Sequence, residues 1–167
     1  MTKYLIDSNA LIESSHNYYR PLCFSKVWDE IAKNSNVYMI KQVYDELTGS
    51  NDFVSDFVKN NFEDRIVEVD ENTVMRYADI QNWLVKSKFW TQAGYNLWSD
   101  NEKADPWLIA MAKANNYVVV SHERKKPMMS IVRPSSKEPK ITTVAEYFDV
   151  KVITIYQMLE ELNFKEA

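Results

Sequence analysis

The stretch ADPWLIAMAKANNYVVVSHE, residues 104–123, holds a helix, its exit and a strand in direct succession. Pro106 suits the first helical position, where a missing N–H costs nothing, and Asp105 before it suits the N-cap. Asn115 and Asn116 suit the exit, and Val118–Val120 is a β-branched run that reads as a strand. Helix feeding apolar strand is the repeating unit of an α/β fold with a mostly parallel sheet. The strand is followed at once by Ser121, His122 and Glu123, so polar groups collect at its carboxyl end.

The same alternation runs through the rest of the chain. Tyr4–Ile6 is a short continuous apolar run, as expected of a central parallel strand covered on both faces, and it ends in Asp7. Residues 22–33 carry apolar side chains at helical spacing, 36–40 read as a second strand, and Val43 and Leu47 mark a helix stopped by Gly49. Residues 51–62 predict a short helix with Asn51 as its N-cap, and 71–90 a longer one. Residues 91–104 read as an irregular connection. Beyond a proline-containing basic loop, 140–148 and 150–164 predict a short strand, a helix, a second short strand and a closing helix. The expected architecture is a three-layer α/β/α fold formed as a single domain over residues 1–167.

Composition fits that size and class. The 167 residues are 46% apolar and 26% charged, and a chain of this length removes roughly 70% of its unfolded surface from water. Apolar runs fall far short of the ~20 residues that span a bilayer, and no basic-then-apolar leader is present, so the expectation is a cytoplasmic protein with no membrane contact. The lone Cys23 is expected as a small buried side chain, and His122 as a solvent-facing turn residue. One cysteine and two separated histidines, His16 and His122, offer no zinc cluster.

A net charge of −4 does not mark the whole chain as a polyanion binder, but its distribution is uneven. Between residues 124 and 140, Arg124, Lys125, Lys126, Arg133, Lys137 and Lys140 face a single acid, Glu138, and three prolines oppose helix formation. That run reads either as a solvated loop or as a phosphate-contacting loop, with Arg124, Lys125 and Lys126 as the candidates to contact a polyanion.

In an open parallel sheet, ligands bind outside the carboxyl ends of the strands. Asp7 and Glu123 follow two such ends, Glu46 lies on the helix after the second strand, and Asp105 opens the helix before the later one. Singly, each has an ordinary reading as a cap, turn or surface acid. Together at one rim they would repel unless a cation intervened, and Mg2+ or Mn2+, hard ions that take oxygen ligands, would resolve the conflict. Such an ion can activate water for phosphodiester hydrolysis.

The segments YLIDSNALIES, VYDEL and ADPWLIAMAKANNYVVVSHE, in that order, resemble the PIN domain, the nuclease fold that includes the VapC toxins of bacterial toxin–antitoxin pairs, and in particular a PIN-like family of unsettled function. The resemblance implies that Asp7, Glu46 and Asp105 are metal-binding catalytic acids, that Glu123 is the variable fourth, and that Asn9 and Ser121 support them. It implies a Mg2+- or Mn2+-dependent endoribonuclease acting on single-stranded or structured RNA, with a cognate antitoxin or a second copy of the chain as protein partner. The competing expectation is a catalytically silent PIN-like module acting through protein or RNA contacts. An aspartate-nucleophile phosphatase is disfavoured because Asn9 stands where its second acid belongs. A dinucleotide fold is disfavoured because the chain's two glycines, Gly49 and Gly94, provide no glycine-rich first turn.

Overall fold

Tyr4–Ile6 (β1) is central in a five-stranded sheet in the computed structural model, which describes residues 1–123, 125 and 133–165. Its neighbours are Val37–Ile40 (β2) on one side and Val118–Val120 (β4) on the other, with Ile66–Val67 (β3) beyond β2 and Val152–Ile153 (β5) beyond β4. The β1–β2, β1–β4 and β2–β3 ladders are all parallel, and Leu5 lies opposite Tyr38 and Val119. Leu5 and Ile6 have no exposed surface, as a strand covered on both faces requires.

The chain divides into two compact units. The first comprises residues 1–68, 118–122 and those from 153 onward, and therefore holds the body of the sheet. In it, Ser8–Glu13 (α1) runs into a π-helical turn over Ser14–Tyr18, and Ser25–Lys33 (α2) buries Val27, Trp28 and Ile31. Trp28 meets Phe53 and Phe57 of Phe53–Asn61 (α4) edge-on, and Lys41–Thr48 (α3) buries Val43 and Leu47. The Arg65 guanidinium donates to the carbonyls of Ile31, Ala32 and Asn34, satisfying acceptors that the end of α2 leaves without helical partners. Ile155–Glu161 (α9) starts with a capping box between Thr154 and Gln157.

The second unit comprises residues 69–117 and the described part of 123–152. Its long helix Glu71–Lys86 (α5) packs on Ala104–Asn115 (α7), with Tyr77 stacked on Trp107 at 3.9 Å between centroids. Leu108, Ile109, Ala110 and Met111 are all fully buried, so α7 is apolar around most of its circumference. It exits through Asn116 in the left-handed conformation at φ 57°, which asparagine tolerates better than most residues. Ile141–Tyr147 (α8) packs on α7.

Several local expectations are corrected. The N-cap of α4 is Asp52, whose carboxylate accepts from Ser55 N at 2.9 Å, and not Asn51. Helix α7 begins two residues earlier than expected: Lys103 is its N-cap, and Asp105 and Pro106 lie within its first turn, where N–H groups have no helical acceptor and proline still fits. Residues 91–104 contain a short helix, Gln92–Asn96 (α6), capped by the Thr91 hydroxyl. The strand expected early in 140–148 is helix throughout Ile141–Tyr147, and β3 had no clear periodic signal. Cys23 is exposed rather than buried. No helix among the described residues is long and apolar enough to cross a membrane.

Candidate functional site

In the first unit the carboxyl end of β1 delivers Asp7 into a set of short, fixed hydrogen bonds. Asp7 N donates to Val120 O at 2.9 Å, continuing the ladder with β4, and the side chain is then the N-cap of α1. Its Oδ1 accepts from Ser8 N at 2.8 Å and its Oδ2 from the Ser121 hydroxyl at 3.0 Å. Asp7 and Ser121 are both buried, at 4% and 2% exposure, so these donors offset much of the cost of sequestering a carboxylate. Asp7 is thus a helix cap and a rim carboxylate at once.

Asn9 extends the set. Its Oδ1 accepts from His122 N at 3.0 Å and lies 3.1 Å from Ser121 Oγ, whose one proton it shares with Asp7, holding the segment after β4 in register with the start of α1. His122 is half-buried; burial pushes its imidazole below the usual histidine range, against the opposing pull of Glu13. The turn is therefore more enclosed than expected. Glu46, by contrast, is exposed on α3.

The second unit holds Asp105 and Glu123 within one group of charges. Lys103 Nζ lies 3.6 Å from Asp105 Oδ2 and is ion-paired with Glu138. Burial pushes the Asp105 carboxyl up to about 6; Lys103 opposes that shift, and Glu123 and Glu138 add to it. Burial also disfavours charge on Lys103, but Glu138 and Asp105 outweigh it and leave its pKa above the ordinary 10.5. Glu123 Oε2 accepts from Ile141 N at 2.6 Å and its Oε1 is 3.2 Å from Lys140 Nζ, so this carboxylate holds the start of α8. Lys103 and Glu138 were not foreseen as members of this group. Of the RNA-binding candidates, Lys125 is exposed, and Arg124 and Lys126 lie outside the described residues.

Among the described residues no three His, Cys, Asp or Glu side chains are gathered closely enough to ligate a metal. The donor chemistry of the candidate acids nevertheless fits a hard divalent ion. All four offer carboxylate oxygen, and the raised Asp105 carboxyl is the type of group whose ionisation a cation would relieve.

The parallel sheet and its flanking helices form a three-layer α/β/α fold of the PIN type. Among solved structures the chain is similar to VapBC-1 from nontypeable Haemophilus influenzae, at 17% identity and a TM-score of 0.56 over 93% of this chain and 99% of that one. It is also similar to FitAcB from Neisseria gonorrhoeae, at 17% identity and a TM-score of 0.54 over 92% and 98% respectively. At that identity the likeness is one of fold. Residues 4–166 match the model of the family described as Domain of unknown function (DUF4411), and the chain belongs to that family. No curated protein matches it.

Proposed function

We propose that this chain is a metal-dependent ribonuclease of PIN type, acting in the cytoplasm as the toxin of a toxin–antitoxin pair. The observation that carries the reading is Asp7 itself. A buried carboxylate stands at the carboxyl end of the central strand, its two oxygens oriented by Ser8 N and Ser121 Oγ. Such an end is where open parallel sheets bind ligands. The PIN-type fold supports the same reaction class, as analogy.

In this reading Asp7, Glu46, Asp105 and Glu123 are the acids that would hold Mg2+ or Mn2+. When bound, the ion lowers the pKa of its water and neutralises charge on the phosphodiester. The chain's own residues supply orientation. Ser8 N and Ser121 keep Asp7 from rotating, Asn9 holds the segment after Ser121 through His122 N, Lys103 keeps the Asp105 region from accumulating unbalanced negative charge, and the basic run from Arg124 through Lys126 to Lys140 attracts the polyanionic strand. A helical antitoxin and a second copy of the chain are the protein partners that the VapC resemblance implies.

One observation favours the second reading, a silent RNA- or protein-binding module: both oxygens of Glu123 are engaged by Lys140 and Ile141 N. The two readings separate in one assay. Purified protein should cleave single-stranded RNA with Mn2+ or Mg2+, lose the activity to chelator, and lose it with Asp7→Asn. Absence of metal-dependent cleavage, together with no calorimetric divalent binding that Asp7→Asn abolishes, leaves the silent module.

A further inference from the structure

We infer that the aromatic cluster Tyr18–His122–Tyr156 is a stacking site for an unpaired nucleobase, which makes the chain selective for single-stranded nucleic acid. The inference deepens the ribonuclease reading by naming the form of its substrate. All three side chains belong to the first unit. Tyr18 and His122 are stacked at 5.4 Å with 27° between their planes, and Tyr156 meets both edge-on, at 5.4 and 5.2 Å. Tyr19, the next residue after Tyr18, also meets Tyr156 edge-on, at 5.6 Å. Tyr18 is the outermost member, 48% exposed, although one of its faces is on His122.

Two features distinguish this from an ordinary aromatic core. Tyr18 closes a π-helical turn, a backbone form that is rare and concentrates at functional sites. More directly, the cluster is tied to the candidate rim. His122 N is held by Asn9 Oδ1, which lies 3.1 Å from Ser121 Oγ, the hydroxyl that donates to Asp7. A flat ligand on Tyr18 is therefore held at a fixed offset from a buried carboxylate. Within the ribonuclease reading that combination suits a nucleotide, whose base stacks on Tyr18 while its phosphodiester lies towards the cation that Asp7 would hold, better than it suits an apolar peptide, which has no use for such a cation. Any base offers a π-face, so the site is tolerant of sequence. A base inside a duplex has both faces covered by its neighbours, so the site discriminates against paired strands.

The test is fluorescence anisotropy with a short labelled single-stranded RNA, a strand of equal length made wholly of abasic riboses, and the corresponding duplex, all in chelator so that nothing is cut. Tyr18→Ala should weaken the intact strand about five-fold or more, the low end of what one base–aromatic stack is worth, and change the abasic strand less than about two-fold. Tyr18→Phe and Tyr18→Trp should bind as the parent does, which separates stacking from folding. Equal affinity of parent and Tyr18→Ala for the intact strand overturns the inference, as does an equal loss on the abasic strand. Loss of a copurifying protein in Tyr18→Ala with RNA binding unchanged also overturns it, in favour of a peptide site. Tyr18-dependent binding without metal-dependent cleavage sinks the nuclease reading alone, and cleavage whose KM is indifferent to Tyr18 sinks the stacking site alone.

Discussion

Ser121 Oγ donates to Asp7 Oδ2 at 3.0 Å, joining the carboxyl ends of β4 and β1 across a sequence separation of 114 residues. Both groups are buried, so the bond is made in a low-dielectric setting where a lost donor to a charged acceptor is costly. Ser121→Ala should destabilise the protein by about 1.5–3 kcal/mol in urea denaturation. It should also weaken any metal-dependent activity through the orientation of Asp7. A change within about 0.5 kcal/mol, the range of ordinary surface substitutions, would show that the hydroxyl is dispensable.

Gly94 is required by space rather than by backbone angle. A Cβ there would stand 2.8 Å from Ser135 O and 2.9 Å from Lys137 O, both main-chain atoms that cannot swing aside. The same segment is pinned by Ser135 N to Phe89 O and Thr91 N to Ser135 O, each at 2.8 Å. Gly94→Ala should therefore cost about 1–3 kcal/mol, as overpacking does, and speed hydrogen exchange at the Thr91 and Ser135 amides. Gly49→Ala is the internal control. With its nearest atoms at 3.5 and 3.7 Å and no positive φ, it should be neutral or slightly stabilising.

Tyr4 supplies a pH signature on the alkaline side. Burial, and then the hydrogen bond to Glu161 Oε2 at 2.7 Å and that carboxylate's charge, push its phenol up to about 12 from the ordinary 10.0. The folded state thus favours the protonated phenol. Its contribution is complete below pH 10 and is lost as pH rises towards 12. Denaturation midpoints should fall across that interval in the parent, and the fall should be smaller in Tyr4→Phe. Parallel pH profiles for the two proteins would refute the assignment.

Lys103 should restrain the Asp105 carboxyl. It is the group that opposes the upward shift caused by burial, Glu123 and Glu138. Lys103→Gln should therefore raise that carboxyl further above its present value of about 6, as read by NMR titration of the metal-free protein. A lowered or unchanged value would mean that the ion pair at 3.6 Å does not form in solution.

The parts of the fold with a strong local signal were legible. The run Val118–Val120 and the apolar triplet Tyr4–Ile6 are too β-branched or too apolar to be much else, and Asp7 is visibly at the end of one of them. The residues Ile141, Thr142, Thr143 and Val144 carry the same β-branched signal and yet are helical, because Glu123 accepts from the first helical N–H and α7 receives the buried face. Strand β3, at two residues, is shorter than any period that could reveal it. Between Asn51 and Asp52, both good caps by type, only the reach to Ser55 N decides. At the candidate site, Asp7, Asn9 and Ser121 were all nameable, but the bonds among them depend on strand register across more than a hundred residues, as does the position of His122 beside Tyr18. Lys103 and Glu138 bear no local mark of their pairing.

The parallel pairing of β1 with both β2 and β4 has a consequence for synthesis. A nascent chain can form the β1–β2 ladder once Ile40 is free of the ribosome, but the other edge of β1 has no strand to accept until Val118–Val120 emerge. At translation rates of about 5–20 residues per second, that edge stays open for roughly 4–16 s. During that time Tyr4–Ile6 is an unpaired apolar template for any passing strand, which makes the half-made protein the form most exposed to aggregation and to chaperone capture.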